Sequence, residues 1–391
     1  MIPYGRQCIE EDDIEAVVRV LRSDYLTTGP EVQKFEEEFA KYVGAKYAVA
    51  VSSGTAALHL AMIALGIGPG DRVVTSANTF VASANCALYV GAKPDFCDIE
   101  LVGYNMDPEF LEENWKPDTK AVVAVDYAGQ PANMPEIGRI ARERGAYVVE
   151  DASHAVGSEF EWDGKRWKVG GHPWADLTTF SFHPVKTMTT GEGGMVATDD
   201  PILAEKIRKL RHHGIERDPQ KWVNENIEKG PWYYEMQELG FNYRLTDIQC
   251  ALGRSQLKKL DRFIERRQEI VLRYNEAFSG IAFVKTPKVA DWLSVRNDYR
   301  IAWHLYSVGI DFDKVGVSRE SLTLSLRRNG IGAQVLYIPV SEQNYLKNKD
   351  HGGRSMINMK RFYKSALSLP LYANLGEADL DRTIHVLKNE L

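Results

Sequence analysis

The chain has 391 residues, 44% hydrophobic and 26% charged, and its 48 basic against 54 acidic side chains leave a formal net charge of −6. That length exceeds what one hydrophobic core sustains, so a large domain over 1–250 and a smaller one over 251–391 are expected. No basic block is long enough to follow a nucleic-acid backbone and no apolar run is long enough to span a bilayer, so neither nucleic acid nor membrane is an expected partner.

The first residues carry no apolar signal core, which makes the cytoplasm the expected compartment. Helical spacing appears at 11–21, through Ile14, Val17, Val18 and Leu21, and again at 30–43, through Val32, Phe35, Phe39 and Val43. Short apolar strands then alternate with helices. Strands are predicted at 47–51, 72–76, 93–97, 121–126 and 147–151, with helices at 55–65, 80–90 and 135–144 between them. This alternation predicts an α/β architecture, a large mostly parallel sheet with helices on both faces. Strands at 177–182 and 195–198 flank a loop, a helix follows at 203–212, and the stretch 218–234, with its Pro, Gly and Trp, reads as irregular. One long helix is predicted over 246–278. Beyond it come a strand at 303–312, a helix at 318–329, a strand at 334–338 and closing helices near 359–368 and 377–391, a smaller α/β C-terminal domain. No internal repeat is present. Cys8, Cys86, Cys97 and Cys250 are scattered without a C-x-x-C pair, so neither disulfides nor a metal site is expected.

Lys186 lies in Ser181-Phe182-His183-Pro184-Val185-Lys186, on the loop between two buried-strand patterns. An ammonium there is costly to bury, so it is expected to be exposed or covalently used. The strand at 147–151 ends in Glu150-Asp151-Ala152-Ser153-His154. An acid at one strand end and a lysine at another suit pyridoxal phosphate, which bonds a lysine amine and needs a carboxylate to keep its ring nitrogen protonated. Ser53-Gly54-Thr55-Ala56-Ala57 follows the first strand and opens a helix. Alone it is an ordinary N-cap or an anion site; beside Lys186 and Asp151 it reads as the phosphate cup.

Other residues keep two readings. Phe80 is a core aromatic or a ring stacked on the cofactor. His154 is structural or reaches the phenolic oxygen of the cofactor. Ser181 is a turn serine or part of the phosphate cup. Asn242 and Arg244, in Gly240-Phe241-Asn242-Tyr243-Arg244, are caps and surface charges or donors aimed at an anion. Dinucleotide, P-loop, zinc-protease and nucleophile-elbow motifs are all missing from the sequence. Gly66-Ile67-Gly68-Pro69-Gly70 ends a helix instead of opening one, and reads as a cap and turn.

Taken together, these segments resemble the sugar-nucleotide aminotransferases of the DegT/DnrJ/EryC1/StrS type, within the aspartate-aminotransferase fold (fold type I), over nearly the whole chain. Within that family the likeness runs to the transaminases of pseudaminic acid synthesis, through 181–194, 232–240 and 302–306. The resemblance implies pyridoxal phosphate, alternating with its pyridoxamine form, as cofactor, glutamate as amino donor and C4 of a UDP-4-keto-6-deoxy-N-acetyl hexosamine as acceptor. It implies that Lys186 bonds the cofactor and moves the proton, Asp151 holds the ring nitrogen, His154 the phenolic oxygen, Phe80 the ring face, and Gly54, Thr55 and Ser181 the phosphate. Asn242 would reach the cofactor phosphate of a second subunit, making a homodimer with shared sites. Tyr4, Arg6, Thr28, His183 and Tyr337 are the substrate contacts it suggests. One segment departs from the family pattern: where a Tyr-x-Pro-x-His run is common, this chain has Tyr337-Ile338-Pro339-Val340-Ser341. The competing readings are another UDP- or dTDP-4-keto-sugar aminotransferase acting at C3 or C4, a sugar dehydratase, which Lys186 argues against, and a non-catalytic sensor, for which no basic DNA-binding extension is seen.

Overall fold

The computed structural model describes residues 1–226, 228–296, 298–347 and 355–391. Seven strands form the main sheet: β1 (Tyr47–Val51), β2 (Arg72–Ser76), β3 (Lys93–Cys97), β4 (Thr119–Val125), β5 (Tyr147–Asp151), β6 (Leu177–Ser181) and β7 (Gly194–Thr198), in the order β1-β7-β6-β5-β4-β2-β3. The pairs β6/β5, β5/β4, β4/β2 and β2/β3 are parallel. Only β7 runs the other way, antiparallel to both β1 and β6.

The strands are apolar at nearly every position because both faces are covered. Val49, Val123, Val149, Leu177 and Val196 pack on one face under the helices Gly54–Ala64, Ala82–Tyr89 and Pro201–Leu210. The alternate residues, Ala50, Phe180 and Met195, pack on the other face beneath Phe35 and Phe39 of the helix Pro30–Val43, with Val122 and Val148 against the helix Met134–Glu143. Since β1 to β6 all point the same way, the loops leaving their carboxyl ends gather at one edge of the sheet, where open α/β sheets place their ligands.

A second core forms around the three-stranded antiparallel sheet of Val284–Lys285, Tyr306–Ile310 and Ala366–Leu369. The helix Leu260–Phe278 feeds Ile270, Val271, Tyr274 and Phe278 into it, and Ile2 from the amino-terminal arm joins them. Ile2 is fastened by backbone bonds to Gly330 and Gly332, both 2.7 Å.

Three expectations need correction, and one element is additional. The long helix at 246–278 is two helices, Asp247–Leu257 and Leu260–Phe278. The break turns Lys259, which is nearly buried, onto Asp12 (2.6 Å) and Asp13 (2.7 Å), and ion pairing outweighs helical continuity there. Residues 334–338 form no strand, only a single bridge from Gln334 to Ser368. The helix expected to reach 368 ends at Ser365, and Ala366–Leu369 is a strand with all four residues buried, a run too short for its apolar pattern to separate the two periods. A hairpin of Glu159–Trp162 and Lys165–Lys168 was not anticipated, although Asp163-Gly164 carries its turn signal and both residues have positive φ (52° and 72°).

The two cores meet where the loop after β4 touches the segment 302–304. His304 N–H donates to the Ala128 carbonyl (2.8 Å), and Ser158 Oγ donates to the Gly129 carbonyl (2.7 Å) and accepts from Ala302 N–H (2.9 Å). Gly129 has φ +97°, and a Cβ there would overlap the Ala302 carbonyl oxygen. Gly129→Ala is therefore expected to cost about 2 kcal/mol or more through backbone strain and overpacking. Urea denaturation followed by circular dichroism checks this, and an unshifted midpoint would mean that the junction yields freely.

Candidate active site

The gathered loops enclose a cavity of about 480 Å³, within the range of small-ligand sites. Its floor is the turn after β6. Lys186 N–H donates to the His183 carbonyl (2.9 Å), and Thr189 Oγ1 and Thr190 N–H both donate to the Phe182 carbonyl (2.8 and 3.1 Å), which closes the loop into a fixed shape. Burial lowers the Lys186 ammonium from its usual 10.5 to about 8, against the opposing pull of Asp151. A lysine in that range offers a free amine near neutral pH.

Asp151 ends β5 and faces the cavity, with 5% exposure. Its neighbour Glu150 points to the opposite face of the strand, where its carboxylate lies 2.9 Å from His172 Nε2 and accepts from Thr178 Oγ1 (2.9 Å). Asp151 Oδ2 accepts from Ser83 Oγ at 2.7 Å, and Oδ1 from Ser153 N–H at 3.2 Å. His154 is buried on the cavity wall. Its Nδ1 accepts from Ala128 N–H (3.3 Å), which puts the proton of the neutral ring on Nε2, 3.2 Å from Tyr337 Oη. Burial, and then the Lys186 ammonium, hold its pKa well below 6.5, so the ring stays neutral and keeps one N–H to donate.

At the amino end of the Gly54–Ala64 helix, Ser53 caps by accepting from Ala56 N–H (3.1 Å). A Cβ on Gly54 would stand 2.8 Å from Ser181 Cβ, so only glycine lets this helix end approach the serine so closely. Gly54, Thr55 and Ser181 thus line a concave end of the cavity at the positive pole of an 11-residue helix. Phe80, 56% exposed, stands at the mouth with its ring 6.0 Å from that of Tyr337. Tyr4 and His183 complete the rim.

These features fit pyridoxal phosphate: an anion cradle, a carboxylate for the ring nitrogen, a neutral imidazole N–H for the phenolic oxygen and an amine of lowered basicity, all on one cavity. Three anticipated residues lie elsewhere in the single chain. Arg6 is exposed and outside the lining, as is Asn242, which bridges to His212. Thr28 borders a separate depression with Arg208, Arg211, His212 and Arg244. Sequence reasoning missed Ser83 and also His304, whose buried ring lies 4.3 Å from that of His154. Ser83 sits one helical turn past Phe80 and was within reach of a spacing argument; His304 is 150 residues from its partner and had no such signal. Among the described residues no helix is long and apolar enough to cross a membrane, and no group of three or more His, Cys, Asp or Glu gathers to hold a metal.

A fold with a mostly parallel seven-stranded sheet, a lysine on the turn after β6 and an acid at the end of β5 defines the class of type I pyridoxal-phosphate-dependent transferases. The chain belongs to the DegT/DnrJ/EryC1/StrS aminotransferase family, whose model matches residues 7–388. It is 43% identical over 390 residues to the Bacillus subtilis spore coat polysaccharide biosynthesis protein SpsC, covering 99% of this chain and 96% of that one. It is 40% identical over 382 residues to the Campylobacter jejuni UDP-4-amino-4,6-dideoxy-N-acetyl-beta-L-altrosamine transaminase, covering 97% and 94%. Among solved structures it is similar to a putative sugar aminotransferase of Streptococcus pneumoniae in its PMP-form, with a TM-score of 0.88 at 28% identity and coverage of 100% and 99%; a PLP-form of that protein also matches, with a TM-score of 0.86. The chain is an aminotransferase, and dependence on pyridoxal phosphate follows from its family.

The lowered basicity of Lys186 is directly measurable. In cofactor-free protein, labelling of Lys186 by an amine-selective acylating reagent, read by peptide mass spectrometry, is expected to reach half its maximal rate near pH 8. Below that pH the ammonium is unreactive and above it the free amine dominates. A rate still climbing beyond pH 10 would contradict the burial argument.

Proposed function

We propose that this aminotransferase moves an amino group from glutamate to C4 of a nucleotide-linked 4-keto-6-deoxy sugar, UDP-4-keto-6-deoxy-N-acetyl-L-altrosamine, in pseudaminic acid synthesis. The observation that carries the reaction is the meeting of Lys186, Asp151 and His154 on one cavity. The choice of sugar is supported by the 40% identity to the Campylobacter jejuni transaminase over almost the full length of both chains.

Pyridoxal phosphate, when bound, supplies an electron sink that acidifies the carbon carrying the transferred nitrogen. Asp151, with both carboxylate oxygens already held by donors, keeps a proton on the ring nitrogen by charge pairing. His154 donates its Nε2 proton toward the phenolic oxygen, a role that needs the neutral tautomer its burial enforces. The Gly54 and Thr55 end of the helix and the Ser181 hydroxyl hold the phosphate. Lys186 takes the proton from one carbon and returns it to another, and a pKa near 8 suits it to act as base and then as acid at neutral pH. Tyr4, His183 and Tyr337 face the space left for the sugar. Asn242, which lies outside the cavity of its own chain, serves the cofactor phosphate of a second copy in a homodimer; Arg6 and Thr28, also outside that cavity, are the further substrate contacts that the family likeness suggests.

A second reading, another UDP- or dTDP-4-keto sugar as acceptor, is favoured by the 43% identity to SpsC, a protein of spore coat polysaccharide biosynthesis. Incubation with glutamate and a panel of UDP- and dTDP-4-keto sugars separates the two. The altrosamine precursor is expected to give the 4-amino product by mass spectrometry and NMR, and preference for another sugar would favour the second reading. A product without ring nitrogen would point to dehydration instead. Lys186→Ala should abolish turnover, and Asp151→Asn should retain cofactor while losing roughly a hundredfold or more in rate. Full activity in either variant would end this proposal.

Site sharing has its own test. Co-expressed Lys186→Ala and Asn242→Ala chains form mixed dimers with one intact site, so activity should recover to about a quarter of the native value on random pairing. Recovery no greater than that of the Asn242→Ala parent would place Asn242 outside a shared site.

A further inference from the structure

We propose that Ser83, backed by Thr79, is a positioning residue for transamination: a one-way chain of two hydroxyl donors that fixes the plane of the Asp151 carboxylate. This rests on the reading of Asp151 as partner of the ring nitrogen.

The direction of the chain follows from bonding capacity. A carboxylate can only accept, so at the 2.7 Å contact the Ser83 hydroxyl proton must point to Asp151 Oδ2. With its proton committed, Ser83 Oγ can only accept across the 2.8 Å contact to Thr79 Oγ1, so Thr79 is the donor there. Both dipoles therefore point at the carboxylate. All three residues are buried, with 2%, 1% and 5% exposure for Thr79, Ser83 and Asp151, and water does not scramble the order. In so dry a place each bond is stronger and polarises the next.

An ordinary packing role does not account for this hydroxyl. The helix Ala82–Tyr89 has no side-chain cap, so Ser83 is not spent on the helix end, and its hydroxyl goes across to β5. Thr79 immediately precedes Phe80, and Thr79 and Ser83 are one helical step of four apart. The loop that presents Phe80 to a ring face is thus tied to the carboxylate that meets the ring edge. Ser153 N–H takes the other oxygen at 3.2 Å, leaving the group no freedom to rotate.

The test uses the purified holoenzyme and four variants: Ser83→Ala, Thr79→Val, Thr79→Ser and the double variant Ser83→Ala/Thr79→Val. Ser83→Ala should lower kcat about ten- to a hundredfold, the worth of one charge-assisted hydrogen bond, with KM for both substrates unchanged. It should also move the pH midpoint of the bound cofactor's absorbance, a signal that simple loosening of packing would not shift. Thr79→Val should move the same midpoint less, Thr79→Ser should leave it at the native value, and the double variant should match Ser83→Ala, because Thr79 acts only through Ser83. The proposal falls if Ser83→Ala keeps the native kcat and midpoint, or if the two single losses add in the double variant. Should Ser83→Ala fail to fold, the contrast between Thr79→Val and Thr79→Ser decides alone, and identical midpoints overturn the relay. Asp151→Asn run beside them separates the two ideas: a disabled Asp151→Asn with a native-like Ser83→Ala refutes the relay only, whereas a fully active Asp151→Asn refutes the role of Asp151 itself.

Discussion

The site depends on one electrostatic constraint, an amine and a carboxylate that line the same cavity. Burial alone drives Lys186 toward the free amine, while the Asp151 charge across the cavity pulls it back, and the balance leaves a base usable near neutrality. Neither group could stand alone there. The carboxylate has donors on both oxygens, and the lysine rests on a turn closed by backbone and threonine bonds. His154 follows from the same balance, since burial, and then the neighbouring ammonium, keep its ring neutral.

The sheet makes that constraint possible at low cost. Six strands share a direction, so their carboxyl ends deliver Ser53, Thr79, Asp151 and Ser181 to one edge without long loops. The period of two along β5 then sorts two consecutive acids, sending Asp151 into the cavity and Glu150 to a buried histidine on the far side. Adjacent residues of the same charge type thus end in unrelated roles, one open to chemistry and one internal to the fold.

Much of this was legible in the sequence because the signals are local. The strands of the main sheet are short apolar runs bounded by turn residues, with Asp151 at the end of one and Lys186 on the loop after another, and the needs of pyridoxal phosphate joined the two. What escaped lies in non-local terms. The interruption at Lys258 and Lys259 depends on carboxylates some 240 positions earlier, and the strand at 366–369 is defined by its partner at 306–310 rather than by its own composition. His304 reaches His154 only through the docking of the 302–304 segment on the loop after β4. Arg6 and Thr28 entered through family likeness, whereas Asn242 also carried a reading of its own as a donor aimed at an anion, and a single chain brings none of the three to its cavity.

The cavity is assembled from parts of the chain with different allegiances. Its floor, Lys186, belongs to the sheet, while Tyr337 closes it from the C-terminal third and Tyr4 from an arm anchored on the second core. The cavity therefore keeps its shape only while the two cores stay docked: a change in how they lean on each other moves the Tyr4 and Tyr337 wall against the turn that carries Lys186.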